Sequence, residues 1–378
     1  MRWDVIVAGL GAMGSAAVRE IARRGLRVLG LDRYAPPHAR GSTHGRTRII
    51  REAYFEHPAY VPLVQRAAEL WETLGREVGD ELFVRTGGLM IGPEQGTLVA
   101  GARASAEQHD LPYELLTLPD VRSRFPALIP ESSMVALYEP RAGVLFPEAC
   151  VRALLSCAAN DGAELTTNEA MLSWRVEGGV VRVATPLGEH VTNRLVLTLG
   201  PWLPQHLKGA SLPLVVERQM QHWFAPLQSA EWCHPDRMPI ALWQLTDSDR
   251  VFYTLPDFGD GVKVAIHHEG EFTDPDRVQR TVSAEEDGRV RELVARFLPT
   301  VAGAIRDRAV CLYTNTPDGH FLIDRHPAHP EVLIVSACSG HGFKFASVIG
   351  ESVAQLVADE TPTLDLSLFR NRYGVSSS

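Results

Sequence analysis

The sequence predicts an α/β protein that opens on a dinucleotide-binding β-α-β unit. Three observations carry this expectation. An apolar segment runs directly into G-x-G-x-x-G, further apolar runs of strand length follow downstream, and no proline- or glycine-rich linker divides the chain. Asp4 to Ala8 read as a short buried strand, and Gly9, Gly11 and Gly14 form the glycine turn. Ser15 to Arg24 read as a helix with Ala16, Ala17, Ile21 and Ala22 on its packed side, ended by Gly25. Leu26 to Leu31 give a second strand that stops at Asp32. The first glycine permits the tight turn, the second lets the backbone approach a pyrophosphate, and the third allows close helix–strand packing. The helix start offers free N–H groups and a positive dipole end to phosphate. Asp32 stands where a carboxylate accepts hydrogen bonds from a ribose diol, and its charge disfavours a 2′-phosphate. The motif does not separate FAD from NAD. Later, Val180 to Ala184 and Val251 to Leu255 fit strands.

Composition bounds what such a unit can serve. The chain has 378 residues, of which 45% are hydrophobic and 22% charged, the balance of a globular protein of two domains or one large one. A net charge of −9 and a pI near 5.9 argue against nucleic acid as the main partner, since phosphate binding needs a strongly basic surface. No segment reaches the ~18 uninterrupted apolar residues of a membrane span. The first strand begins almost at the N-terminus and does not look like a signal peptide, so a cytoplasmic protein with no membrane partner is expected. The five cysteines, Cys150, Cys157, Cys233, Cys311 and Cys338, are odd in number and lack C-x-x-C spacing, which speaks against a disulfide framework or a zinc site. No metal is expected: His267-His268-Glu269 has neither ligand spacing nor a third partner.

Three further segments carry chemistry-bearing residues. After Pro36-Pro37-His38 comes Gly41-Ser42-Thr43-His44-Gly45-Arg46-Thr47-Arg48-Ile49-Ile50-Arg51, a donor-rich loop in which Arg48 and Arg51 stand three apart, as on one side of a helical turn. Alone, it reads as a solvated basic surface. Cys311-Leu312-Tyr313-Thr314-Asn315-Thr316-Pro317-Asp318 is the second segment. Ser339-Gly340-His341-Gly342-Phe343-Lys344-Phe345 is the third. Together with Tyr60-Val61-Pro62-Leu63, Gly143-Val144-Leu145 and Gly200-Pro201-Trp202, they resemble the monomeric sarcosine oxidase and N-methyltryptophan oxidase family over nearly the whole chain. Two departures stand out: Leu10 precedes Gly11 where the family has a small residue, and Glu52 follows Arg51 where it has histidine.

The resemblance implies a Rossmann-like FAD-binding domain interleaved with a mixed-sheet substrate domain. The first would comprise residues 1–84, 142–211 and 309–378, the second residues 85–141 and 212–308. It implies FAD bound covalently through its 8α-methyl to Cys311, a residue that sequence alone would leave as an inert buried thiol. Gly9, Gly11, Gly14, Asp32, Ser42, Thr43, His44, Thr47, Gly200, Trp202, Gly340, Gly342, Phe343 and Lys344 would hold the cofactor. Arg51 and Lys344 would grip a substrate carboxylate, the arginine with two parallel hydrogen bonds and the lysine with a point charge. Lys344 lies between two phenylalanines, where a buried cation needs an anionic partner.

Lys263, in the alternating strand Gly261 to His267, would lie over the flavin and stabilise the negative charge that oxygen acquires, with Arg48 and His44 adding to the positive field. Alternation alone would place Lys263 on an exposed strand face. His267, Tyr253 and Tyr313 would line the substrate pocket, with Trp243 on its far wall; core packing is the competing reading for the aromatic residues. The implied activity is oxidation of a small N-methyl or cyclic secondary amino acid to an imine, with O₂ reduced to H₂O₂ by a monomer. The alternative is an FAD-dependent dehydrogenase using another acceptor. A regulatory nucleotide-binding module is opposed by the joint presence of Arg51, Lys263, Cys311 and Lys344.

Overall fold

The computed structural model describes residues 2–207, 210 and 212–373; the expected domain limit at 211 and the tail 374–378 lie outside the described residues. The opening unit forms as strand Arg2–Ala8, helix Ala12–Arg23 and strand Val28–Asp32, paired in parallel. The helix starts three residues earlier than the side-chain pattern suggests, directly at the glycine turn. Gly9 takes φ +94°, and a Cβ there would come within 2.5 Å of the Thr198 carbonyl oxygen. A Cβ on Gly14 would meet the Gly9 carbonyl oxygen at 1.7 Å, so the helix can approach the turn only without that side chain.

Three sheets are present among the described residues. The first runs Ser173–Glu177, Val180–Thr185, Gly188–Leu197, Arg2–Ala8, Val28–Asp32, Glu164–Thr167, and Gly188–Leu197 also pairs with His329–Ser336, itself the partner of Leu322–His326. Helices Ala12–Arg23, Val61–Val78, Pro147–Asn160 and Ala346–Val357 contribute their apolar stripes to one core cluster with strand residues such as Val5, Val7 and Val196.

The second sheet runs Ile305–Asn315, Val215–Phe224, Val262–His267, Val251–Leu255, Ile240–Gln244, Gly88–Gly92, Val135–Glu139, Glu114–Leu116. Strand alternation gives it two unlike faces. Phe224, Trp243, Phe252, Val262 and Val264 pack under helix Ala284–Phe297 with Val290, Val294 and Phe297. Leu242, Tyr253, Leu255 and Lys263 face a cavity instead. Trp243 therefore does not shape the pocket wall: its ring stacks on Phe252 at 5.4 Å, and its neighbour Leu242 takes the cavity side.

The third sheet joins Arg48–Ile50, Gly143–Leu145 and Phe83–Arg85. It corrects the helical-turn reading of Arg48 and Arg51. Arg48 is in a strand paired antiparallel with Leu145, and Arg51 lies just past its end. No helix among the described residues is long and apolar enough to cross a membrane.

Candidate active site

A cavity of about 480 Å³ runs from the glycine turn to the polar face of the second sheet. At one end it is lined by Gly9, Gly11, Asp32, Ser42, Thr43, Gly200 and Trp202. Asp32 is buried there, with Oδ2 accepting from the Leu10 N–H at 2.7 Å and Oδ1 from the Tyr34 N–H at 2.8 Å. Thr43 Oγ1 accepts the Ala12 N–H at 3.2 Å and closes over Gly11, where a Cβ would stand 3.5 Å from it.

The wall beyond holds unsatisfied groups. Ser42 Oγ, Thr47 Oγ1 and Gln221 Oε1 are buried without a protein partner, and all three residues line the cavity. Leaving such groups unpaired costs about 1–3 kcal/mol each, so they mark a place for a polar molecule. FAD has phosphate oxygens for the glycine turn and ring and ribityl donors and acceptors for the orphaned groups. The residues present fit it.

At the sheet face, two cations come from different elements. Lys263 projects from Val262–His267 and is 1% exposed. Its Nζ donates to the carbonyl oxygens of Gly45 and Thr47, both at 2.9 Å. Burial, then the neighbouring Arg48 guanidinium, holds its pKa well below the usual lysine range. Arg48 Nη2 donates to the Ser42 carbonyl at 3.0 Å and reaches Cys311 Sγ at 3.6 Å. His44 does not join this positive field: burial, then Arg48, pushes its pKa down to about 4, leaving the ring neutral. Nor does His44 line the cavity; its Nε2 is a buried group without a partner.

A second cationic cluster centres on Tyr54. The Arg51 guanidinium lies 4.2 Å from the Tyr54 ring centroid and Lys344 Nζ lies 5.2 Å from it. Lys344 sits in the short turn Phe343–Phe345 before helix Ala346–Val357, and is buried at 5% exposure. Its Nζ donates to the His341 carbonyl at 2.6 Å and to the Tyr54 hydroxyl at 3.2 Å. Tyr54 Oη in turn lies 2.6 Å from His341 Nδ1. Burial, followed by repulsion from Arg51, lowers the Lys344 pKa to about 7. Arg51 is paired with Glu56 at 2.6 and 2.8 Å and donates to the Ala53 carbonyl at 3.0 Å. Of these two buried cations only Arg51 has a carboxylate at ion-pair distance among the described residues, an arrangement that favours a further anion beside Lys344.

Between the two clusters lie Tyr253, His267 and Tyr313, all cavity-lining, with His267 Nδ1 3.3 Å from the Tyr313 hydroxyl. Burial, then the neighbouring His268, holds the His267 pKa well below the usual histidine value. Thr47, Gly340, Gly342 and Phe343 line the same space. Three expected residues stand behind the lining: Gly14, His44 and Cys311. Cys311 is 1% exposed, and its thiol donates to the Ser42 carbonyl at 3.3 Å. The cysteine that lines the cavity is Cys338, whose Sγ accepts the Thr314 N–H at 3.3 Å.

Sequence reasoning missed Tyr54, Glu56, His341 and Gln221. His341 lies inside the S-G-H-G-F-K-F run and Glu56 five residues beyond Arg51, which were available signals. Nothing near Gln221 in sequence points to the cavity.

The family model for FAD dependent oxidoreductases matches residues 4–356. A monomeric sarcosine oxidase from Streptomyces avermitilis is 42% identical over 374 residues, covering 98% of this chain and 97% of the relative. An N-methyl-L-tryptophan oxidase from Yersinia pestis is 33% identical over 371 residues, covering 98% of each. Among solved structures, NikD, an unusual amino acid oxidase, superposes with a TM-score of 0.86 over 98% of this chain and 97% of its own at 23% identity, a likeness of fold. The chain belongs to the FAD-dependent oxidoreductases, within the family of monomeric sarcosine oxidase and N-methyltryptophan oxidase.

Proposed function

We propose that this protein oxidises a small N-substituted amino acid, N-methyl or cyclic, to its imine and reduces O₂ to H₂O₂. The observation that carries the reading is the pair of buried cations, Arg51 and Lys344, which gather on Tyr54 and both line the cavity. A carboxylate is the one handle that all such substrates share. Arg51 presents a planar fork and Lys344 a point charge, the complementary pair for it. Glu56 holds the Arg51 fork until a substrate carboxylate shares or replaces it.

Bound FAD supplies the electron acceptor for the C–H bond beside the substrate nitrogen and passes the electrons on to O₂. The chain's residues set up both halves. The cations around the clamp favour loss of the extra proton from the substrate amine, since a positive neighbour lowers an amine pKa. Only the neutral amine can push electrons. His267, held neutral, and the Tyr313 and Tyr253 rings bound the space beside the reacting carbon, and no side chain is needed as a general base. The imine hydrolyses in water. Lys263 and Arg48 stabilise the charge that oxygen acquires. Because burial and Arg48 depress the Lys263 pKa, this step should slow as pH rises and the ammonium loses its proton.

The reading includes a thioether from Cys311 to the flavin 8α-carbon, supported by the C-L-Y-T-N-T-P-D run and by the position of Cys311 beside Ser42 and Arg48. It assigns residues 1–84, 142–211 and 309–378 to FAD and residues 85–141 and 212–308 to substrate. Strand Ile305–Asn315 then crosses the last limit and carries Cys311 from one part into the other. It also takes the chain as a monomer, as the name of its sarcosine oxidase relatives says of them, acting in the cytoplasm on a small amino acid without nucleic-acid or membrane partners.

A peroxide assay over sarcosine, longer N-methyl amino acids, proline-like imino acids and primary amino acids tests the activity. Peroxide with secondary amino acids is expected. Flavin reduction by these substrates with reoxidation by an artificial dye but not by air would replace the oxidase with the dehydrogenase.

A further inference from the structure

One fully buried carboxylate next to the carboxylate clamp takes no part in the chemistry above. Glu139 ends strand Val135–Glu139 and is 1% exposed. It has no cation within ion-pair distance among the described residues. Its two oxygens are instead spent on two successive backbone donors. Oε1 accepts the Glu52 N–H at 2.6 Å and Oε2 accepts the Ala53 N–H at 3.0 Å. These are the two residues that follow Arg51. The same Ala53 presents its carbonyl oxygen to Arg51 Nη1 at 3.0 Å.

A chain of short bonds thus runs from the second sheet, through the Glu52–Ala53 backbone, to the guanidinium. Arg51 lies just past the end of Arg48–Ile50, so ladder pairing no longer fixes its backbone. The Glu52 side chain points elsewhere, toward Gln65 Nε2 and Arg141 Nη1, each at 3.4 Å. Burying a carboxylate without a cation is strongly unfavourable, and burial accordingly raises the Glu139 pKa to about 7 despite both backbone donors. An apolar residue here would strand both N–H groups in the interior without an acceptor, so the geometry asks for a two-oxygen acceptor at this position.

We propose that Glu139 is the positioning residue of the substrate-carboxylate clamp. By holding both N–H groups after Arg51, it fixes the Ala53 carbonyl and aims the guanidinium fork into the cavity. It touches neither substrate nor flavin. The inference rests on the reading of Arg51 as the clamp, and goes beyond it by naming what orients that residue.

The test uses the flavin-loaded enzyme and propionate, a carboxylate that lacks the amine. Its dissociation constant is read from the flavin absorbance, and the rate of flavin reduction at saturating substrate is read anaerobically. Glu139→Gln keeps one acceptor but turns an NH₂ group against the other backbone donor. It should weaken propionate about tenfold, the scale of one charge-assisted hydrogen bond, while the saturating reduction rate stays within about twofold. Glu139→Asp keeps the charge but is one methylene shorter, and should fall between, which provides a second variant if the amide folds poorly. Glu52→Gln alters the local charge and leaves both Glu139 bonds, so propionate binding should hold.

Unchanged propionate affinity in Glu139→Gln and Glu139→Asp overturns the inference. So does an equal loss in Glu52→Gln, which would mean that charge alone matters, or a parallel fall of affinity and reduction rate. Arg51→Lys separates the two layers. If it weakens propionate and the Glu139 variants do not, the clamp stands and the positioning falls. If Arg51→Lys leaves propionate binding intact, the clamp reading fails and the positioning inference with it.

Discussion

In the proposed clamp, Lys344 is the side chain that would tie binding to pH. Its ammonium has two protein acceptors, the His341 carbonyl and the Tyr54 hydroxyl, and no carboxylate of its own. Burial and Arg51 bring its pKa down to about 7. A bound carboxylate stabilises the charged form and must raise that value. The sign follows from linkage. Below about pH 7 the lysine is charged before and after binding, and affinity is flat. Above it, binding takes up a proton, and affinity for a carboxylate should fall with pH by up to about tenfold per unit. Propionate titrations across about pH 6 to pH 9, with calorimetry in buffers of different ionisation enthalpy, measure the slope and the proton uptake. Glu139 titrates in the same window and His341, pushed down to about 4, does not. Lys344→Met isolates the lysine, since it should remove the proton uptake. A wild-type enzyme that binds propionate without taking up a proton at high pH would exclude Lys344 from the clamp.

At the scale of elements, the proposed reaction with oxygen turns on the sheet strand Val262–His267. Alternation fixes which residues share a face but not which face is wet. Register answers this. Val264 lies opposite His222 and Lys263 opposite Trp223, and helix Ala284–Phe297 covers the valine side, so Lys263 is delivered to the cavity. Its ammonium is then held by two carbonyl oxygens of the Gly45–Thr47 loop. Lys263→Met keeps the length and the strand and deletes the charge. Reoxidation of reduced flavin by O₂ should slow by about a thousandfold if the lysine lowers that barrier by ~4 kcal/mol. Anaerobic reduction by substrate should change little, because Arg51 and Lys344 remain. Stopped-flow absorbance follows each half-reaction, and wild-type reoxidation in the variant would assign oxygen activation elsewhere.

Elements differ in how far local sequence determines them. The β-α-β start could be read because its signals are local: a glycine turn with a left-handed residue, a helix stripe and a terminal acid within 32 residues. Arg48–Ile50 could not. Three residues carry no periodicity, and its partner Gly143–Leu145 lies far along the chain, so a basic pair three apart looked helical. Trp243 is ambiguous in sequence because an aromatic strand residue fits a pocket wall and a helix-covered core equally well until the opposite face is known. The Glu139–backbone bonds depend on side-chain direction at a strand end far along the chain from Arg51, which no pattern encodes.

The whole molecule makes the cavity a shared possession of segments that stand far apart in sequence. Its walls include Gly9 from the first strand turn, Arg48 from the third sheet, Lys263 from the second, and Lys344 before the last long helix. A ligand filling it must therefore stabilise the chain as one unit. Stabilisation by a ligand that binds only the folded state grows with its free concentration, reaching about 2.7 kcal/mol at a hundredfold excess over Kd. If the proposed thioether to Cys311 forms, wild-type enzyme cannot show this dependence, because the flavin is then part of the chain. Cys311→Ser can. On a denaturing gel, the wild-type band should keep flavin fluorescence and the Cys311→Ser band should lose it, whereas Cys338→Ser, altered at the cysteine that lines the cavity, should keep it. Calorimetry adds the structural half of the test. Added FAD should raise the Tm of Cys311→Ser by about 3 °C at a hundredfold excess over Kd, given the unfolding entropy expected for a chain of this length. The transition should remain single and wild-type Tm should not move. Fluorescence retained in Cys311→Ser and lost in Cys338→Ser would shift the link to the lining cysteine. Two transitions, of which FAD moves only one, would mean that the sheets fold as separate units and that the cavity forms only when they meet.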